Sequence, residues 1–92
     1  MNEKLIEKKL REAVKRAGGL ALKWVSPGVT GVPDRIIILP GGRVKLVEVK
    51  STGKKQSPRQ IVMAGMLENL GLPVAVIDNQ ETLTEFLNGI NN

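Results

Sequence analysis

Asp34-Arg35-Ile36-Ile37-Ile38-Leu39-Pro40-Gly41-Gly42-Arg43-Val44-Lys45-Leu46-Val47-Glu48-Val49-Lys50 is the stretch that decides the fold. Two runs rich in β-branched residues flank Pro-Gly-Gly, so the segment reads as a hairpin of strands 34–39 and 43–50. The first run is continuous in apolar residues, which predicts a strand covered on both faces. In a strand, residues two apart share a face, so Glu48 and Lys50 project together. If the first run is the neighbouring strand, Asp34 can join them.

Outward from the hairpin, residues 3–17 carry Ile6, Leu10, Ala13, Val14 and Ala17 at helical spacing, and Gly18-Gly19 ends that helix. Leu20 to Val25 reads as a strand, followed by the loop Ser26 to Gly31. After a basic loop, Ser57-Pro58-Arg59-Gln60 combines an N-cap, a first-turn proline and a capping box, opening a helix that runs to about Leu70 and stops at Gly71. Pro73 to Ile77 is a further strand. Asp78 then caps a last helix through about Asn88, with Glu81 at the capping-box position. The order is α-β-β-β-α-β-α, an α/β fold with a mixed sheet flanked by helices.

The 92 residues make one small domain, 1–92, with 41% hydrophobic and 25% charged residues. Neither a membrane span nor a signal peptide is evident, so a cytoplasmic location is the expectation. There is no cysteine and no histidine. Thiolate sites and His-based triads are thereby excluded, and any metal must be held by oxygen, which favours Mg²⁺ or Mn²⁺. The net charge is +5, unevenly spread. All fourteen Lys and Arg lie in residues 1–59 with five acids, while residues 60–92 hold four acids and no base. One part is suited to a polyanion and the other to something else. Only Trp24 and Phe86 are aromatic, which argues against a base-stacking single-strand module.

Hydrolysing a phosphodiester needs anionic ligands for a metal that activates water, and a cation to meet charge developing on the phosphate. Asp34 and Glu48 can be the ligands, the Val49 backbone carbonyl a third oxygen, and Lys50 the cation. An E-x-K triplet alone carries little weight, since it arises by chance in roughly a quarter of chains this long. A carboxylate in so apolar a strand nevertheless needs a partner. Lys54, Lys55 and Arg59 flank the site and are candidates for gripping DNA phosphates. Gly28 and Gly31 either let backbone amides approach a phosphate or serve as turn glycines.

These residues in this order resemble the PD-(D/E)XK nuclease superfamily, and within it the VRR-NUC family. The resemblance rests on Gly18-Gly19, Val25-Ser26-Pro27-Gly28, Gly31-Val32-Pro33-Asp34-Arg35, Glu48-Val49-Lys50, Ser57-Pro58-Arg59-Gln60 and Leu70-Gly71. It implies a core site of Asp34, Glu48 and Lys50, and brings in Glu7 on the first helix and Gln60 on the second. Glu7 falls at the edge of the Ile6–Leu10–Val14 stripe, where it can be a metal ligand or a solvated flank. Gln60 can face the metal or complete its capping box. The resemblance further implies an Mg²⁺- or Mn²⁺-dependent DNA endonuclease, dimeric, acting on branched DNA such as Holliday junctions. The alternatives are a flap-type or restriction-like nuclease, or a non-catalytic nucleic-acid-binding module.

Ile61 to Leu67 is seven uncharged, mostly apolar residues, so the second helix is expected to be buried nearly all round. One side packs on the sheet, and a second copy covers the rest in a two-fold homodimer, through this helix or the last one. The competing arrangement has the last helix cover it within one chain.

Overall fold

A computed structural model of the chain describes residues 1–91. The elements are α1 (Glu3–Arg16), β1 (Leu20–Lys23), β2 (Arg35–Leu39), a 3₁₀ turn (Pro40–Gly42), β3 (Arg43–Val49), α2 (Pro58–Asn69), β4 (Val74–Ile77) and α3 (Gln80–Ile90). The expected order holds. The strands lie side by side in sequence order, β1–β2 and β2–β3 antiparallel and β3–β4 parallel. Gly41 and Gly42 take positive φ, which turns the hairpin at no Cβ cost. Among the described residues, no helix is long and apolar enough to cross a membrane.

One sheet face carries the core. Ile37, Leu39, Val47, Val49 and Ile77 meet Ile6, Leu10 and Val14 of α1 and Leu83 and Ile90 of α3. Alternation sends Ile36, Ile38, Val44, Leu46 and Glu48 to the opposite face. There Leu46 and Glu48 are buried, and α2, packed along β4, is the helix left to shield them.

Three expectations are corrected on this second face and at the chain's end. First, β2 is not covered on both faces: Ile36 is half-buried and Ile38 is 37% exposed. Second, the competing arrangement, in which α2 is covered within one chain, does not hold: α2 contains no buried residue, with Ile61, Val62 and Met66 all more than half exposed in the single chain. The last helix does not cover it, because α3 packs with α1 and β4 instead. Third, Asn79 rather than Asp78 caps α3. Its side chain accepts from the Thr82 N–H, and Thr82 Oγ1 answers at the Asn79 backbone, so Thr82 takes the place expected of Glu81.

Candidate active site

The β2–β3 register pairs Arg35 with Val47, so Asp34 and Glu48 follow as the next facing positions where the strands end. Trp24 N–H donates to the Asp34 carbonyl at 3.0 Å, and Val49 N–H donates to Asp34 Oδ2 at 2.8 Å. Backbone N–H groups from both neighbouring strands thus fix Asp34, one through its carbonyl and one through its carboxylate, although it lies just outside β2. Lys50 N–H donates to the Ile77 carbonyl at 2.9 Å, which anchors the residue after β3 to β4.

Asp34, Val49 and Lys50 line a cavity of about 350 Å³ with Glu3 and Glu7 of α1, and with Lys23 and Trp24. Glu7 therefore reaches the site. It also pairs at 3.7 Å with Arg35, whose guanidinium donates to the Ala21 carbonyl. Arg35 was not singled out in the sequence, yet a signal was present. It follows Asp34 in a strand, so it points to the core face, where a buried cation requires an acid.

Glu48 does not line the cavity. It is 0% exposed, Oε2 accepts from Gln56 Nε2 at 2.7 Å, and Oε1 is buried with no partner. Burial pushes the Glu48 carboxyl above its ordinary value of 4.5; the Gln56 hydrogen bond opposes this, the Asp34 charge adds to it and the Lys50 charge opposes it. Both other triad members are thus close enough to act on Glu48 through their charge.

The glutamine on Glu48 is Gln56, from the basic loop, which sequence reading missed. Gln60 Oε1 accepts from the Ser57 N–H at 2.8 Å, so its side chain is engaged in the capping box. Lys54, Lys55 and Arg59 are exposed, and Arg59 donates to Thr30 Oγ1 at 2.8 Å. Among the described residues, no three His, Cys, Asp or Glu side chains cluster tightly enough to enclose a metal. The donor set is two carboxylates with an unpartnered buried oxygen, beside an open cavity. It fits a hard cation that keeps several waters, as Mg²⁺ does, better than a protein-enclosed one.

The profile described as the VRR-NUC domain matches residues 1–81. The chain belongs to the VRR-NUC family. Its class is therefore that of a nuclease. "Putative nuclease p44" of Acyrthosiphon pisum secondary endosymbiont phage 1 is 43% identical to this VRR-NUC chain over 91 residues, spanning 99% of it and 97% of the phage protein. A solved structure described as a VRR_NUC domain superposes with a TM-score of 0.86 at 29% identity, covering 94% of each chain.

Proposed function

We propose that this VRR-NUC chain is a DNA endonuclease dependent on Mg²⁺ or Mn²⁺. The carrying observation is that Asp34, the residue before β2, falls opposite Glu48 of β3 when the Arg35–Val47 register is continued, with Glu48 Oε1 buried and unpartnered. A cation bound by these oxygens supplies Lewis acidity at the phosphate and lowers the pKa of water. Asp34 and Glu48 hold it, with the Val49 carbonyl as a further oxygen, and Gln56 orients Glu48. Lys50 faces the cavity as the fixed positive charge that meets the phosphate oxygens in the transition state. Glu7 sits at the rim as a further ligand for the ion or its water, held by Arg35. Lys54, Lys55 and Arg59 hold the DNA backbone beside the site. Gln60 acts through α2, whose start it caps.

Branched DNA is the proposed substrate, in line with the resemblance that the triad and its flanking motifs carry. The test is cleavage of matched duplex, flap, splayed and four-way substrates with Mn²⁺, Mg²⁺ or EDTA. The expected result is cutting with either metal, none in EDTA, and a preference for the branched forms. Full cutting in EDTA would overturn the metal mechanism, and equal rates on all shapes would remove the branched-DNA reading.

We also propose a two-fold homodimer through α2 and the adjoining sheet face. Leu20, Leu22, Ile38 and Val44 are exposed together on that face, and Ile61, Val62, Met66 and Leu70 are exposed on α2. Contiguous apolar surface of this extent is uncommon on monomers. A groove of about 740 Å³ between α2 and the loop at Gly28–Thr30 is lined by Val29, Val62, Met63 and Met66. Light scattering at micromolar concentration is expected to give twice the 10.0 kDa chain mass. Met66→Lys should return the monomer, because a buried unpaired charge is costly. A wild-type monomer, unaffected by the substitution, refutes the dimer.

A further inference from the structure

We infer that the exposed flank of α1 is a second DNA-backbone track leading away from the active-site cavity. This inference rests on the nuclease reading above and extends it to residues with no role in the site. Lys4, Lys8, Arg11 and Lys15 are spaced by four, three and four residues, so they form one stripe along the helix. All four are exposed, and among the described residues none has an ion-pair or hydrogen-bond partner for its side chain. Lys8, Arg11 and Lys15 line one shallow depression together with Glu12.

The stripe has a direction relative to the site. Glu7 lines the cavity with Asp34 and Lys50. Lys4 lies one turn before Glu7 and Arg11 one turn after it, on the same flank of the helix. The stripe therefore begins beside the cavity and runs to the far end of α1. From Lys4 to Lys15 it covers about 16 Å at 1.5 Å per residue. That length matches about five phosphates of one strand at 3.4 Å of axial rise each.

Of the two remaining α1 cations, Arg16 lies off the stripe and is exposed, and Lys9 is engaged elsewhere. Lys9, on the other flank, donates to Gln80 Oε1 of α3 at 3.0 Å. Solvation of the helix needs no alignment of charges, and Glu12 offsets only part of the stripe, so the three cations that line the depression with it leave a net positive surface suited to an anion. The partner with matching length, charge and position is the duplex arm flanking the cut. The track lies on the face opposite α2, so a dimer through α2 leaves it free on both copies.

The experiment compares salt-dependent binding, in EDTA, to a duplex long enough to cover both the site and α1. The proteins are wild type, a quadruple Lys4→Gln/Lys8→Gln/Arg11→Gln/Lys15→Gln variant, a loop variant Lys54→Gln/Lys55→Gln/Arg59→Gln and a Lys9→Gln control. Each lost phosphate contact lowers the slope of log K against log salt by about 0.9. The quadruple variant is expected to lose about 2–4 of slope and at least about tenfold in affinity at low salt, beyond any loss in the loop variant. Lys9→Gln should match wild type. Glutamine has nearly the helix propensity of Lys and Arg, and a double Lys8→Gln/Arg11→Gln protein with wild-type melting guards against a folding artefact. An unchanged slope in the quadruple and double variants, or an equal loss in Lys9→Gln, overturns the track. Failure of wild type to bind any DNA, in EDTA and also with Ca²⁺ in its place, instead overturns the nuclease reading on which it rests.

Discussion

Glu48→Ala is expected to cut DNA at least ~10³-fold more slowly than wild type, and Asp34→Ala and Lys50→Ala by about 10²–10³-fold or more. The two carboxylate variants should also lose Mn²⁺ binding by calorimetry, while Lys50→Ala should keep it. Gln56→Leu is expected to fall between, with about 10–100-fold weaker Mn²⁺ binding, because it frees the carboxylate that Gln56 fixes at 2.7 Å. Stability should move the other way. A fully buried carboxylate with one unpartnered oxygen costs folding free energy, so Glu48→Gln should melt at or above wild type. The pH dependence has a definite sign. The Glu48 carboxyl is held above its ordinary 4.5, so the folded protein binds more protons than the unfolded one above that value. Its contribution is full below pH 4.5 and is lost as pH rises through the raised value. The melting advantage of metal-free Glu48→Gln over wild type should therefore grow from mildly acidic towards neutral pH. A Glu48→Ala protein that cuts normally would refute the mechanism, and a melting difference flat with pH would refute the account of Glu48.

The elements most legible in the sequence were those whose local chemistry and tertiary role agree. The Ile6–Leu10–Val14 stripe and the Ser57–Gln60 capping box both appear as read. The two facing carboxylates were legible because strand geometry alone decides which residues share a face. Neither β2 nor α2 is fully covered within the single chain, for one physical reason. An apolar run records that a surface must leave water, but not whether the same chain covers it. Ile38 of β2 and Met66 of α2 both carry the signature of a buried segment, and both end up exposed. Both fall on the side of the sheet proposed to meet a second copy. At the site, Gln56 was missed because its role depends on the path of a loop. No periodicity encodes that path. Gln60 was readable two ways, since one side chain served both hypotheses, and the capping partner three residues away is the one it meets.

Gly31→Ala is expected to destabilise the fold by about 2–5 kcal/mol, from backbone strain and a steric clash acting together. Gly31 has φ +86°, a region that side chains with a Cβ rarely adopt. An added Cβ would also lie 2.5 Å from the Arg59 carbonyl oxygen and 2.7 Å from its carbon. These are backbone atoms in the first turn of α2, so relief requires shifting the helix start or the loop. Either shift reaches the site. Gly31 lies three residues before Asp34, and Arg59 lies three residues after Gln56, the partner of Glu48. The glycine thus sets the distance between the loop that delivers Asp34 and the segment that fixes Glu48. Gly28 is the control: an added Cβ meets nothing within 4 Å there, and its φ is not in the left-handed region. Gly28→Ala should be neutral or stabilising by up to about 1 kcal/mol, by restricting the unfolded chain. At about 4–8 °C per kcal/mol for a domain this size, Gly31→Ala should melt about 10 °C or more below wild type. It should also cut more slowly at temperatures where it remains folded, with Mn²⁺ affinity reduced in parallel. Melting of both alanine variants within about 2 °C of wild type, well under the shift for 1 kcal/mol, would show that this contact does not hold the loop.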